Sequence, residues 1–166
     1  MYGPNVPPPT WFWPFTNFIL LIICVPLLFV EAVPPEVGLV FSAMFYSTSV
    51  AYLVIVMAWL FNSSKNPIGY IILSLFIFST ANACINIAVD RLDPASYQFR
   101  DASTPFERRF DNFITTIKLP TRFVDQSVVS VSAIAKLLEF VHANVSFYLS
   151  ITFAVGGVSY FARRKS

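Results

Sequence analysis

Between Val37 and Val89 the chain carries a single charged residue, Lys65. A stretch that long cannot face water on one side, because nothing in it would hydrate an exposed surface. It divides into two apolar runs, 37–61 and 67–89, each longer than the roughly 20 helical residues that cross a hydrocarbon core of about 30 Å. "NSSKNP" (62–67) separates them as a turn, with Pro67 at the first helical position it favours. A third apolar run precedes them at 15–33, with Pro26 as an expected kink. It is closed by "EAVPPEVG" (31–38), where Pro34 and Pro35 stop a helix and Glu31 and Glu36 hold the turn at the water interface.

Composition points the same way. Of 166 residues 12% are charged, against roughly 25% in soluble domains, and the mean hydropathy is +0.66. The expected fold class is an all-α integral membrane protein, a single domain over 1–166. It should have about four transmembrane helices and one short amphipathic interfacial helix. Residues 1–14 read as a proline-rich extended arm (Pro4, Pro7, Pro8, Pro9), ending at Trp11 and Trp13 where an aromatic belt would sit. No basic n-region or arginine-rich presequence precedes the first apolar run, which is therefore expected to be retained. A net charge of +2 implies no nucleic-acid partner.

The last apolar region, 127–162, exceeds what one crossing needs. Its first half carries Lys136, Glu139 and His142, whereas Ala143 to Ala162 carries no charge, so the fourth crossing is expected in the second half. Lys136 and Glu139 then form an ordinary surface pair, and His142 a helix-surface residue near the lipid boundary.

Residues 90–126 form an extramembrane segment around "STPFERRFDNFITTIKLP" (103–120). Thr104, Pro105 and Glu107 make a capping box with proline in the first turn. Phe106, Phe110, Phe113, Ile114 and Ile117 recur at helical spacing and form one apolar face over 105–118. Such a helix docks on a lipid surface, in a partner's groove or on its own spans. Arg108, Arg109, Lys118 and Arg122 are candidates for holding an anionic headgroup, with a cardiolipin-like structural phospholipid as the only cofactor-like partner.

In the third run Ser79, Asn82 and Asn86 share one helical face. Amides in hydrocarbon need partners, which gives interhelical hydrogen bonds or, alternatively, a polar pathway. Ala43, Ser47 and Ala51 form a small-residue stripe that suits close helix approach. Cys24 and Cys84 sit in apolar runs without a CxxC or histidine neighbour and read as small buried hydrophobes.

No nucleophile–base set, metal-ligand cluster or phosphate loop is present, and no soluble substrate is suggested. The expectation is a non-catalytic structural or accessory subunit of a larger multisubunit membrane complex. It would act by helix packing and lipid retention, with the membrane and other membrane-protein subunits as partners. Low charge and a phenylalanine excess suit a respiratory or other energy-converting assembly, and the expected location is the mitochondrial inner membrane. The alternative is a small four-helix channel or carrier lined by the polar face of the third run.

Overall fold

A computed structural model describes residues 10–62, 68–100, 104–118 and 128–164. The chain is mostly helical, with elements α1 (Phe12–Phe29), α2 (Pro35–Asn62), α3 (Ile68–Leu92), β1 (Tyr97–Phe99), α4 (Pro105–Lys118), β2 (Val128–Ser130) and α5 (Ala133–Arg164). Three helices are long and apolar enough to cross a membrane: Phe12–Phe29, Pro35–Trp59 and Gly69–Leu92. The fourth expected crossing falls partly outside the described residues, since beyond Thr152 only the Val155 side chain is described.

The hairpin breaks lie close to where proline puts them. α1 continues through Pro26 and closes with the Val30 amide on the Pro26 carbonyl at 3.0 Å. Pro34 ends the turn, but Pro35 opens α2, because proline's missing N–H costs nothing in a first turn. α1 and α2 are antiparallel: Thr48 donates to Asn17 Oδ1 at 3.0 Å, and a Cβ on Gly38 would meet Leu28 at 3.2 Å. The glycine thus permits close approach at the turn.

Inside the bundle α2 uses Gly38, Ser42, Phe45, Ser49, Tyr52, Val56 and Trp59, all buried and spaced by three or four residues. This internal face is separate from the small-residue stripe. The small stripe lies on the opposite side, with Ser47 exposed and Ala43 and Ala51 partly so. Phe45 and Tyr52 fill the interior with Leu20, Leu28, Ile77 and Ile87. Cys24 and Cys84 are buried in the same cluster.

α3 is the central helix and packs against α1, α2, α4 and α5. α5 runs antiparallel to it. Phe78 meets both Val145 and His142, Asn82 meets His142, and Val89 packs on the cluster holding Ala135. The first half of α5, which carries Lys136, Glu139 and His142, therefore lies along α3.

The chain is not wholly α. Val128–Ser130 pairs antiparallel with Tyr97–Phe99, in the register Tyr97↔Ser130, Gln98↔Val129 and Phe99↔Val128. "VVSV" is β-branched and favours extended backbone, so the helix expected from 127 begins only at Ala133. Ser132 caps it, accepting the Ala135 amide at 3.2 Å. The turn before β1 is built by Asp93, which accepts the Ala95 amide (3.2 Å) and the Ser96 hydroxyl (2.7 Å).

Candidate functional site: a polar seam on α3

α3 presents Ser79, Asn82, Asn86 and Asp90 on one face, all buried. The last three are one turn apart; Asn82 meets α5, and Asn86 and Asp90 meet α4.

Asn82 faces α5. Its amide nitrogen lies 2.6 Å from Nδ1 of His142. An amide N–H can only donate, so Nδ1 accepts and a neutral ring keeps its proton on Nε2. His142 is fully buried, with Phe78 edge-on to its ring at 5.5 Å. This corrects its reading as a surface residue: the histidine supplies the acceptor that Asn82 needs.

Asn86 faces α4 and the ribbon. The Tyr97 hydroxyl donates to Asn86 Oδ1 (2.9 Å), and Asn86 Nδ2 donates to Thr116 (3.1 Å). Thr116 in turn donates to Asn112 Oδ1 at 3.3 Å. Burial pushes the Tyr97 hydroxyl well above its usual range, helped by the negative charges of Asp90 and Glu139. The phenol therefore stays protonated and donating.

Asp90 faces Arg108, which donates to its carboxylate and to the Pro94 carbonyl, both at 2.9 Å. The guanidinium also lies over the Phe99 ring, 4.6 Å from its centroid, a cation–π arrangement. Two further arginines close the α1 terminus. Arg91 donates to the carbonyls of Leu27 (2.7 Å) and Val33. Arg109 donates to that of Phe29 (3.0 Å) and lies 3.6 Å from Glu31. Cations at a helix C-terminus both bond its free carbonyls and oppose its dipole.

α4 thus sits on the fold by its polar side. Its capping box forms as expected, with Thr104 N to Glu107 Oε2 at 2.9 Å and Glu107 N to Thr104 Oγ1 at 3.2 Å. Asn112 and Thr116 are buried against the seam and Arg109 against the end of α1, while Phe106 and Phe110 remain 59% and 49% exposed. The two rings stack on each other, and Phe106 also reaches Phe29 of α1. Phe113 packs on the main core, and Ile114 and Ile117 are half-buried. Of the four headgroup candidates, Arg108 and Arg109 have partners within the protein. The Lys118 side chain and all of Arg122 lie outside the described residues.

The structure brings Asn82 and Asn86 into one seam with Asp90, Tyr97, Asn112, Thr116 and His142, five residues that the sequence reading had not placed with them. Asp90 continued the spacing of the asparagines and was legible on that ground. The others come from separate elements and carried no such signal. Among the described residues no group of three or more His, Cys, Asp or Glu is arranged to hold a metal ion. Chemically, the seam cross-links helices by hydrogen bonds and ion pairs. The chain matches no protein-family model, no curated protein and no solved structure.

Proposed function

We propose that the chain is a non-catalytic structural subunit of a larger membrane assembly, crossing the bilayer with α1, α2, α3 and α5 and acting through helix packing and lipid retention. One observation carries this reading. The internal contact face of α2 is complete without Ala43, Ser47 and Ala51, which leaves a small-residue stripe pointing outward between Val40, Met44 and Val54. A neighbouring helix can approach such a stripe closely. Low charge and the phenylalanine excess make an energy-converting membrane, the mitochondrial inner membrane first, the location that goes with it. A cardiolipin-like phospholipid would lie along the exposed Phe106–Phe110 edge, which continues from Phe29 at the end of α1.

Purification in mild detergent should recover the chain with co-migrating membrane proteins. Ala43→Leu combined with Ala51→Leu should release it from them with its helical content unchanged. A wild-type chain that migrates alone, at 18.7 kDa plus detergent, overturns the reading.

The channel or carrier alternative gains one point, because His142 brings a titratable group against Asn82. Yet the Asn82 amide occupies Nδ1 and does not give up a proton, so hopping through the ring stops there. Replacing Asn82 and Asn86 with leucine separates the two. Lost flux with assembly intact favours the carrier, and lost assembly without a flux phenotype favours the subunit.

A further inference from the structure

α5 turns His142 toward α3, where the ring meets Phe78 and Asn82. These two flank the middle of the candidate span Gly69–Leu92. Asn144 stands two residues on from the histidine, about 3 Å along the axis and on the opposite side of the helix. It is therefore level with the middle of the span and faces away from α3. Around it that outward side is apolar: Leu137, Phe140, Phe147, Ile151 and Val155 are 45% to 65% exposed. Leu137, Phe140, Asn144, Phe147 and Ile151 alternate in steps of three and four residues. That is the spacing of a helix–helix seam, and the asparagine is at its centre.

Lipid can cover rings and aliphatic groups but gives an amide no hydrogen bond, so polar side chains inside a membrane turn toward protein. Asn144 donates to the Phe140 carbonyl at 2.7 Å, which is one of the four bonds its amide can make. The amide is self-complementary, since its N–H and its carbonyl oxygen match those of a second asparagine. Two copies inserted the same way are related by an axis along the membrane normal, which keeps each residue level with its counterpart. Packed along this seam they bring Asn144 to Asn144, as a lone asparagine does in paired helices. A different protein would need a polar group of its own at that depth. We propose that a second copy of this chain covers the outward face of α5, in a parallel two-fold pair centred on Asn144. This pairing rests on the α5 crossing of the proposed function and needs no other subunit.

The recombinant full chain, purified in mild detergent with no other membrane protein, should sediment at twice 18.7 kDa after correction for detergent. A single-chain mass, with lipid or another protein left to cover the face, overturns the pairing. Phe140→Cys then places a thiol on the seam, while Cys24 and Cys84 are buried inside the fold. In phosphatidylcholine vesicles with lipid in large excess, copper phenanthroline oxidation should link this variant into a covalent dimer. Ala43→Cys, on the α2 stripe, should link far less, and equal yields overturn the placement on α5. Adding Asn144→Leu to Phe140→Cys should lower the linked fraction about fivefold or more; an unchanged fraction overturns the role of the amide. Both substitutions lie away from α3 and leave the packing of His142 in place. With no other membrane protein in the vesicles, the outcome is separate from the recovery of co-migrating subunits.

Discussion

Arg109, in the second turn of α4, donates to the carbonyl oxygen of Phe29, the last residue of α1, across 3.0 Å and 80 positions of sequence. An arginine 8% exposed thereby ties α4 to the end of a candidate span. Removing it leaves that carbonyl without the arginine's N–H. Arg109→Ala should cost about 2 kcal/mol, within the range for a hydrogen bond to a charged group. Unfolding of the purified chain in mixed detergent micelles measures it. Arg109→Met, which keeps the stem, should cost nearly as much if the bond rather than the packing matters.

Arg108 and Asp90 form the other α4 anchor. The Asp90 side chain is 6% exposed and that of Arg108 32%, so losing the arginine strands a buried charge, whereas losing both strands none. Arg108→Ala should destabilise by about 2 kcal/mol, below the usual cost of breaking a buried pair because Arg108 is partly hydrated. The double change Asp90→Ala with Arg108→Ala should cost less than the two single changes summed. A thermodynamic cycle on the same unfolding assay decides, and strict additivity would remove the pair from the account.

The Asn82–His142 contact predicts a compensation. Asn82→Leu leaves Nδ1 of a buried imidazole unpartnered and should cost about 1–3 kcal/mol. Adding His142→Leu removes the stranded group, and the double variant should recover most of that loss. Failure to recover would mean that leucine at 82 acts by overpacking.

Tyr97 gives the seam a pH dependence. Burial, with the charges of Asp90 and Glu139, raises the phenol above its unfolded value. The folded chain therefore holds this proton at pH values where the unfolded chain has released it. Stability from Tyr97 is complete below about pH 10 and declines as pH rises beyond it. Tyr97→Phe should be less stable by about 1 kcal/mol at neutral pH, through the lost bond to Asn86. It should also show a shallower alkaline decline than wild type. Parallel slopes above pH 10 would assign the decline to other groups.

How much of this could be read in advance differs from element to element. The apolar runs, the proline and polar breaks between them and the capping box of α4 depend on residues within a few positions of one another. They therefore appear in the linear text as run length, periodicity and spacing. α4 spans the 105–118 expected of it, with both capping bonds in place. Asn82 and Asn86 announced that their face needed partners, because amides in an apolar setting must bond something.

What those partners are was decided only by the tertiary fold. His142 comes from 60 positions away, Thr116 from 30, and the carbonyl held by Arg109 from 80. Hydropathy alone would turn α4 by its phenylalanines. The unmet bonds of Asn86 and Asp90 turn it by Asn112, Thr116 and the arginines instead, because a buried polar group without a partner costs more than an aromatic ring left outside. The Asn82 amide likewise draws His142, and with it the first half of α5, along α3. Local patterning determines which segments are helices and how long they run. Long-range hydrogen bonding determines which face of each meets the others, because its donors and acceptors lie on elements the chain brings together only when it folds.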